Sequence, residues 1–590
     1  MLGNLSTLKS DIFKEKWHYL LGILALIACD GLQLFEPWII GLATDELASG
    51  TSTTARLLGY GGLILVIAVG VALMRYGWRI KIVVTAIKIE EKLRNRLFGH
   101  FQKLSPNYYS QARSGDLMAR ATNDLSAVRE LCGFGVIILV DMLFVGITTF
   151  IIMVRIDLKL TLYVLLPLFA ISLVVSRFNP SLKKRFLKVQ ESFADLTEKT
   201  RENFAGMRVV KAYVQEEAEV EKFREASQDY FEKNMRLIKL RRVFEPILMI
   251  LANSAVLLVL LLGGTDVILA KISVGTFVAF WIYLMMLRWP MVAVGMIIPF
   301  FQRADASMGR INEVLEAEPE IKDSPEAIEI PALRGDIEFR NLTYTYPSAD
   351  RPSLRNINLK IEPGSTLAIV GKIGSGKSTL ANMISRMLEP EKDCVYIDDK
   401  EITGIKLMSL RRQVAAVPQT TFLFASSIKD NIAFSDTGMD LAEVSRAAQT
   451  AQIHDQVMSF PGQYDTIVGE RGVTLSGGEK QRVAIARAVA ADPKILVLDD
   501  CLSAVDAHTE EKILKGMQEV LKKRTAVIIS HRISSIQHAD HIIVLDDGCI
   551  VEQGKHVELL RINGIYAEMY RKQQLEQEIM NASEKEGGVE

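Results

Sequence analysis

Residues 371–378 read GKIGSGKS, a G-x-x-x-x-G-K-S loop between an apolar run at 366–370 and a helix-like run opening at Thr379. That spacing suits a loop that wraps phosphate. Gly371, Gly374 and Gly376 can turn successive backbone N–H groups inward, with Ser375 among them, and the next helix adds its positive dipole end. Lys377 is placed to reach the β- and γ-phosphates, and Ser378 to reach Mg²⁺. Farther along, ILVLDD at 495–500 is an apolar strand ending in two carboxylates, Asp499 and Asp500. Such a strand suits a buried parallel sheet whose C-terminal edge faces a ligand crevice, where Asp499 is expected to hold the magnesium.

Between these two stretches lies LSGGEKQR, with Leu475, Ser476, Gly477, Gly478 and Glu479 at its start. Together the three segments resemble the nucleotide-binding domain of ATP-binding cassette (ABC) transporters, and the LSGGE signature separates that family from other phosphate-loop proteins. The resemblance implies ATP and Mg²⁺ as ligands. It implies Tyr346 in YTYP as the aromatic that stacks on adenine, Gln419 in VPQ as the magnesium and coupling glutamine, and His531 as the switch histidine. It further implies that Ser503 and Asp506 in SAVD contact a second nucleotide domain, and that IVGERG at 467–472 contacts coupling helices. Magnesium falls to Ser378, Gln419 and Asp499, and the signature residues act on the nucleotide of a partner. Catalytic roles fall to Asp500, His531 and Gln419.

The elements around these motifs are a membrane part and a soluble part, since 590 residues exceed what one core organises. Apolar stretches long enough to cross about 30 Å of hydrocarbon recur near 18–40, 57–78, 131–155, 158–178, 246–270 and 274–300. The expected fold is an α-helical six-span transmembrane domain of the ABC exporter type fused to an α/β phosphate-loop nucleotide-binding domain. Lys9, Lys14 and Lys16 before the first span, with Lys and Arg crowding the connections after spans two and four, place both chain ends in the cytosol. The lead-in is too polar for a cleaved secretion signal, and a cell-membrane location is expected. The connections at 79–130 and 181–243 carry charged and apolar residues at helical spacing. Within them, 104–130 and 202–217 resemble the intracellular loops of ABC exporters, which carry short coupling helices.

Domain limits are expected at 1–318 for the transmembrane part, 319–334 for an acidic, proline-bearing linker, 335–572 for the nucleotide domain and 573–590 for a charged, flexible tail. Five cysteines scattered without metal spacing argue for a reducing environment and against a zinc site. A formal net charge of −1 gives no bulk attraction to nucleic acid.

One membrane set and one nucleotide domain make half of a multidrug-resistance-like transporter, so a second half-transporter is implied. The family pattern has glutamate after the magnesium aspartate, and this sequence has Asp500. Losing one methylene withdraws the carboxylate by about 1.5 Å, and a misplacement of about 1 Å costs on the order of 100-fold in rate. The expectation is therefore a bacterial heterodimeric exporter in which this chain carries the slow, degenerate site. A homodimer with a working Asp500 is the alternative. The activity expected is ATP hydrolysis coupled to export of small amphiphilic or drug-like molecules across the bilayer by alternating access. Lipid flipping, peptide export or a regulatory ATP-binding subunit are alternatives. Ionisable residues at membrane depth are costly, so Asp30, Asp141 and Arg288 are candidates for the substrate pathway, or for packing through an Arg288 ion pair.

Overall fold

A computed structural model describes residues 3–347, 349–469 and 475–586. It divides into two compact units, Met1–His100 with Gly115–Glu316, and Phe101–Ser114 with Ala317–Glu590.

In the first unit six helices are long and apolar enough to cross a bilayer: α1 (Lys16–Ala48), α2 (Thr54–Phe101), α3 (Ser114–Ile156), α4 (Leu158–Ala205), α5 (Glu216–Ile268) and α6 (Val274–Glu316). Thr53 caps α2 by accepting from Arg56 N, and Asp157 caps α4 by accepting from Leu160 N, so these turns are written into the sequence. Prolines at 37, 167, 180, 246, 290 and 299 lie inside helices, which neighbouring helices in a bilayer tolerate. At 48 and 53 residues, α4 and α5 extend to roughly 70–80 Å, far beyond the hydrocarbon. They pack along each other as a hairpin whose tip, around the short helix Met207–Ala212, exposes Met207, Val209, Tyr213 and Val214. Val214 also takes a left-handed φ of 53°, uncommon for a β-branched residue.

Among its described residues the second unit is built on two sheets from ten strands: β1 (Ile337–Tyr344), β2 (Leu354–Ile361), β3 (Thr366–Gly371), β4 (Val395–Ile397), β5 (Lys400–Glu401), β6 (Val414–Val417), β7 (Ile495–Asp499), β8 (Thr525–Ile529), β9 (His541–Asp546) and β10 (Cys549–Gly554). Four antiparallel strands run β2-β1-β4-β5, and six run β10-β9-β3-β8-β7-β6, parallel except for β10. Every residue of β7 and β8 is buried, as continuous apolar runs in a sheet covered on both faces require. Alternation along β3 sends Ala368 and Val370 into one core and Leu367 and Ile369 into the other.

The helices that matter for the site are α7 (Lys377–Ile384), α8 (Gly477–Ala490), α9 (Ala507–Leu521) and α10 (Ile565–Glu586). Residues 573–586 lie in α10, which is held near its middle by side-chain bonds described below. The linker is pinned as well: Ile328 N donates to Gly404 O, Lys406 N donates to Ile328 O, and Leu333 N donates to Gln413 Oε1.

Candidate nucleotide site

Four adjacent parallel strands end on one edge and deliver the site. The phosphate loop leaves β3, Gln419 follows β6, Asp499 and Asp500 close β7, and His531 follows β8. Ligands of open α/β sheets bind at such carboxyl-end crevices.

The loop is shaped by glycine where nothing else fits. Gly371 has φ 152° and a Cβ there would meet Leu545 O at 2.1 Å; Gly376 has φ 98° and its Cβ would meet Ser353 O at 2.5 Å. Gly376 is the N-cap of α7 and offers no side chain, so the first-turn N–H groups face the loop without a side-chain acceptor. Lys377, 7% exposed, donates from Nζ to the carbonyls of Gly371 at 2.9 Å and Lys372 at 2.7 Å. Burial pulls its pKa down, while Asp499 and Asp500 oppose that shift. The Ser375 hydroxyl is buried with no hydrogen-bond partner among the described residues, which fits a loop that takes an anion.

Opposite the loop, Asp499 is buried beside the Ser378 hydroxyl. Burial pushes this carboxyl above the usual carboxylate range and Asp500 adds to the rise, against the pull of Ser378, Lys377 and His531. A hydroxyl and a carboxylate together make a hard oxygen set of the kind Mg²⁺ uses beside nucleotide phosphates. Asp500 sits at φ 45° with its N–H on Ile529 O at 2.9 Å, and its Oδ2 accepts from Gln419 Nε2 at 3.2 Å. The adjacent Cys501 is buried and its thiol is pushed up to about 12 by burial, so it is inert. Tyr346 Oη and Thr379 Oγ1 share a hydrogen bond at 3.2 Å, and the Tyr346 ring meets Tyr344 edge-on at 5.2 Å.

The signature residues lie apart from this cradle. Ser476 and Glu479 form a reciprocal capping box on α8, with Ser476 N donating to Glu479 Oε2 at 2.7 Å. Glu479 is therefore engaged by its own helix end. Ser476, Gly477, Gly478, Arg482 and Asp506 line a polar cavity of about 370 Å³ whose walls include no residue of 371–379. Arg482 keeps its buried Nε without a partner among the described residues. Gln481 ties α8 to the next loop, donating to Ser503 Oγ at 3.3 Å and accepting from Ala504 N at 3.0 Å, while Ser503 Oγ donates to Asp500 O at 3.0 Å. Asp506 caps α9 by accepting from Thr509 N at 2.9 Å. Leu475 is buried, and the stretch 467–472 lies partly outside the described residues.

Family models give the same reading. The ABC transporter transmembrane region matches residues 19–291, and the ABC transporter model matches residues 354–503. The chain is 38% identical to the probable multidrug resistance ABC transporter ATP-binding/permease protein YheI of Bacillus subtilis (strain 168), over 95% of this chain and 96% of that one. It is 36% identical to the multidrug resistance-like ATP-binding protein MdlA of Escherichia coli (strain K12), over 97% of both. A solved bacterial Atm1-family ABC exporter with ATP bound superposes with a TM-score of 0.75 at 27% identity, covering 96% of this chain and 99% of that one. The chain is an ABC exporter half-transporter. It hydrolyses ATP in the service of transport and is a multi-pass membrane protein.

Two features of the half-transporter lay outside sequence reasoning. Gln573, on α10, holds the loop after β8 from both sides: its Nε2 donates to His531 O at 2.5 Å and its Oε1 accepts from Ile533 N at 2.8 Å. Within the same unit, Asn107 of the short helix Pro106–Gln111 donates to both oxygens of Glu320, at 3.1 and 2.9 Å, and to Tyr344 Oη at 3.3 Å. The Tyr344–Tyr346 contact then continues that chain to Thr379.

In the membrane part the structure brings together Asp30 and Asp141, with Arg75 and Trp289 beside them, and leaves Arg288 out. Arg288 is exposed and makes no ion pair among the described residues, while the adjacent Trp289, itself 45% exposed, is the residue that reaches Asp141. Arg75 is the cation that acts on both aspartates.

Proposed function

We propose that this half-transporter exports small amphiphilic or drug-like molecules by alternating access, paired with a different half-transporter whose nucleotide site turns over faster. The observation that carries it is Asp500, one methylene shorter than the family's glutamate and tethered to Gln419 at 3.2 Å. A base must lie within about 2.6–3.2 Å of its water, and a withdrawn carboxylate misses that range.

In this reading Tyr346 stacks on adenine, Gly371, Gly374, Ser375, Gly376, Lys377, Ser378 and Thr379 cradle the phosphates, and Ser378, Gln419 and Asp499 hold Mg²⁺. The metal supplies charge neutralisation at the phosphates when bound. His531 presents its imidazole to the γ-phosphate from the loop that Gln573 holds. Leu475, Ser476, Gly477, Gly478 and Glu479, with Ser503 and Asp506, serve the partner's nucleotide. The separation of the signature cavity from the phosphate loop supports this, since one chain supplies two half-sites. Closure of the two nucleotide domains passes through the coupling segments to the spans, and hydrolysis resets them. Asp30 and Asp141 lie on the substrate path and favour cationic amphiphiles. Both chain ends are cytosolic and the protein resides in the cell membrane.

ATP turnover of the purified chain in lipid, alone and co-expressed with a candidate partner half, tests the pairing. Turnover near zero alone and restored by the partner is expected, with Asp500→Glu raising the rate of the chain alone on the order of 100-fold. Fast turnover alone, unchanged by Asp500→Glu, overturns it. Lipid-like cargo is the second reading, favoured by 33% identity to the ATP-dependent lipid A-core flippase of Photobacterium profundum, over 96% of this chain and 92% of that one.

A further inference from the structure

A second cavity lies in the membrane unit, away from both carboxylates. It measures about 450 Å³, is open on one side, and is bordered by the lead-in helix Lys9–Lys14 and by α1, α3 and α6. Its walls are apolar: Leu8, Ile23, Val136, Leu139 and Phe301 line it. The lining hydroxyls are already engaged, Tyr19 Oη on Cys132 O at 2.9 Å and Ser6 Oγ on Gly3 O at 2.6 Å. No water is served by such walls, since a buried water needs two to four polar partners. An unfilled space of this size would forfeit dispersion contacts along its whole lining.

Depth and charge indicate the occupant. The lining residues of α3 run from Leu131 to Leu139, about 12 Å of helix at the start of the third apolar span, so the space opens where headgroups give way to acyl chains. The end of the lead-in helix and the first turn of α1 carry interfacial marks: Phe13 and Trp17 are 67% and 65% exposed, and Lys16 Nζ lies 4.2 Å and 5.9 Å from their ring centroids. The lead-in helix is fixed in place by Asp11 on Arg96 at 2.9 Å and Glu15 on Lys92 at 2.7 Å, so it roofs the cavity firmly. Lys9 is the cation of the lining, exposed and without an ion pair among the described residues. The volume is about three times the ~150 Å³ that accepts a benzene-sized ligand, which suits one flexible chain.

We propose that this cavity binds one acyl chain of an anionic phospholipid from the leaflet on the N-terminal side, with its phosphate against Lys9. Basic residues at a membrane surface favour anionic headgroups, and the apolar pocket supplies the chain.

The test uses the full-length protein, with its partner half where one is required, in nanodiscs of equimolar phosphatidylglycerol and phosphatidylcholine. Native mass spectrometry counts the lipids retained. The wild type is expected to keep one phosphatidylglycerol that Leu139→Trp loses by filling the space. Lys9→Glu is expected to keep one lipid while its preference for phosphatidylglycerol falls by about fivefold or more. Unchanged elution volume and circular dichroism show that Leu139→Trp is folded; should it not fold, the Lys9→Glu preference decides alone. Equal retention in wild type and a folded Leu139→Trp overturns the proposal, as does equal retention of both lipids by the wild type. So does disulfide trapping of an Ile12→Cys variant to a second half, which would show protein covering the cavity.

Discussion

The phosphate loop and the signature segment are both glycine-bearing turns that open a helix, yet their helix ends are finished in opposite ways. Gly376 begins α7 with no side-chain cap, and the hydroxyl of Ser375 lies buried beside it and unpartnered among the described residues. Ser476 begins α8 with a capping box closed by Glu479. The first end keeps its donors for an incoming anion; the second satisfies part of its own demand and is stable without one. A cradle of the first kind recognises nucleotide, and an end of the second kind is suited to arrive late, as a preformed surface brought up to a nucleotide held elsewhere.

Substitutions on the two sides separate these roles. Lys377→Ala should have the largest effect, lowering ATP affinity on the order of 100-fold in calorimetric titration, because it removes a buried cation from the phosphates. Equal loss of affinity from Ser476→Ala would erase the contrast. Ser476→Ala should leave binding by the chain alone intact while costing about 1 kcal/mol of helix capping in denaturant unfolding. Its rate penalty should appear in the assembled dimer.

Gln573→Ala sharpens the account of the catalytic edge. Freed from both bonds, the His531 loop should lose turnover by about tenfold with ATP affinity unchanged. Gln573→Glu, which keeps the acceptor for Ile533 N and loses the donor to His531 O, should fall between the two. A matching drop in affinity would mean that α10 supports the whole cradle and not the histidine alone.

The smallest effect concerns Asp499. Its folded pKa is raised by burial, so its stability contribution is full below the unfolded value and is lost as pH rises through the folded value. Asp499→Asn should therefore raise the thermal midpoint of nucleotide-free protein at pH 8 by about 2 °C and leave it unchanged at pH 4. The same variant should lose the stabilisation that Mg-ATP gives the wild type.

How far these regions were legible in the sequence follows from how local their contacts are. The phosphate loop is a contiguous string whose glycines, lysine and hydroxyl each answer a near-neighbour requirement, and the six apolar runs announce their own environment. The residues ending β6, β7 and β8 were readable because parallel strands bring their carboxyl ends to one edge. Gln573 was not: it reaches across 42 residues from a charged helix, and no period or composition marks a glutamine that binds two backbone groups. The pairing of Asp30 with Asp141 was also hidden, since hydropathy gives the depth of a residue and not the direction it faces. Arg288 and Trp289 show the cost of that, being adjacent in sequence and turned to different neighbours.

The hairpin of α4 and α5 carries one further consequence. Met207, Val209, Tyr213 and Val214 at its tip remain uncovered in the single chain. During synthesis such a surface is what chaperones and proteases survey, so a half-transporter that has not yet met a second half is exposed to clearance. The speed with which two halves assemble would then set how much transporter the cell keeps.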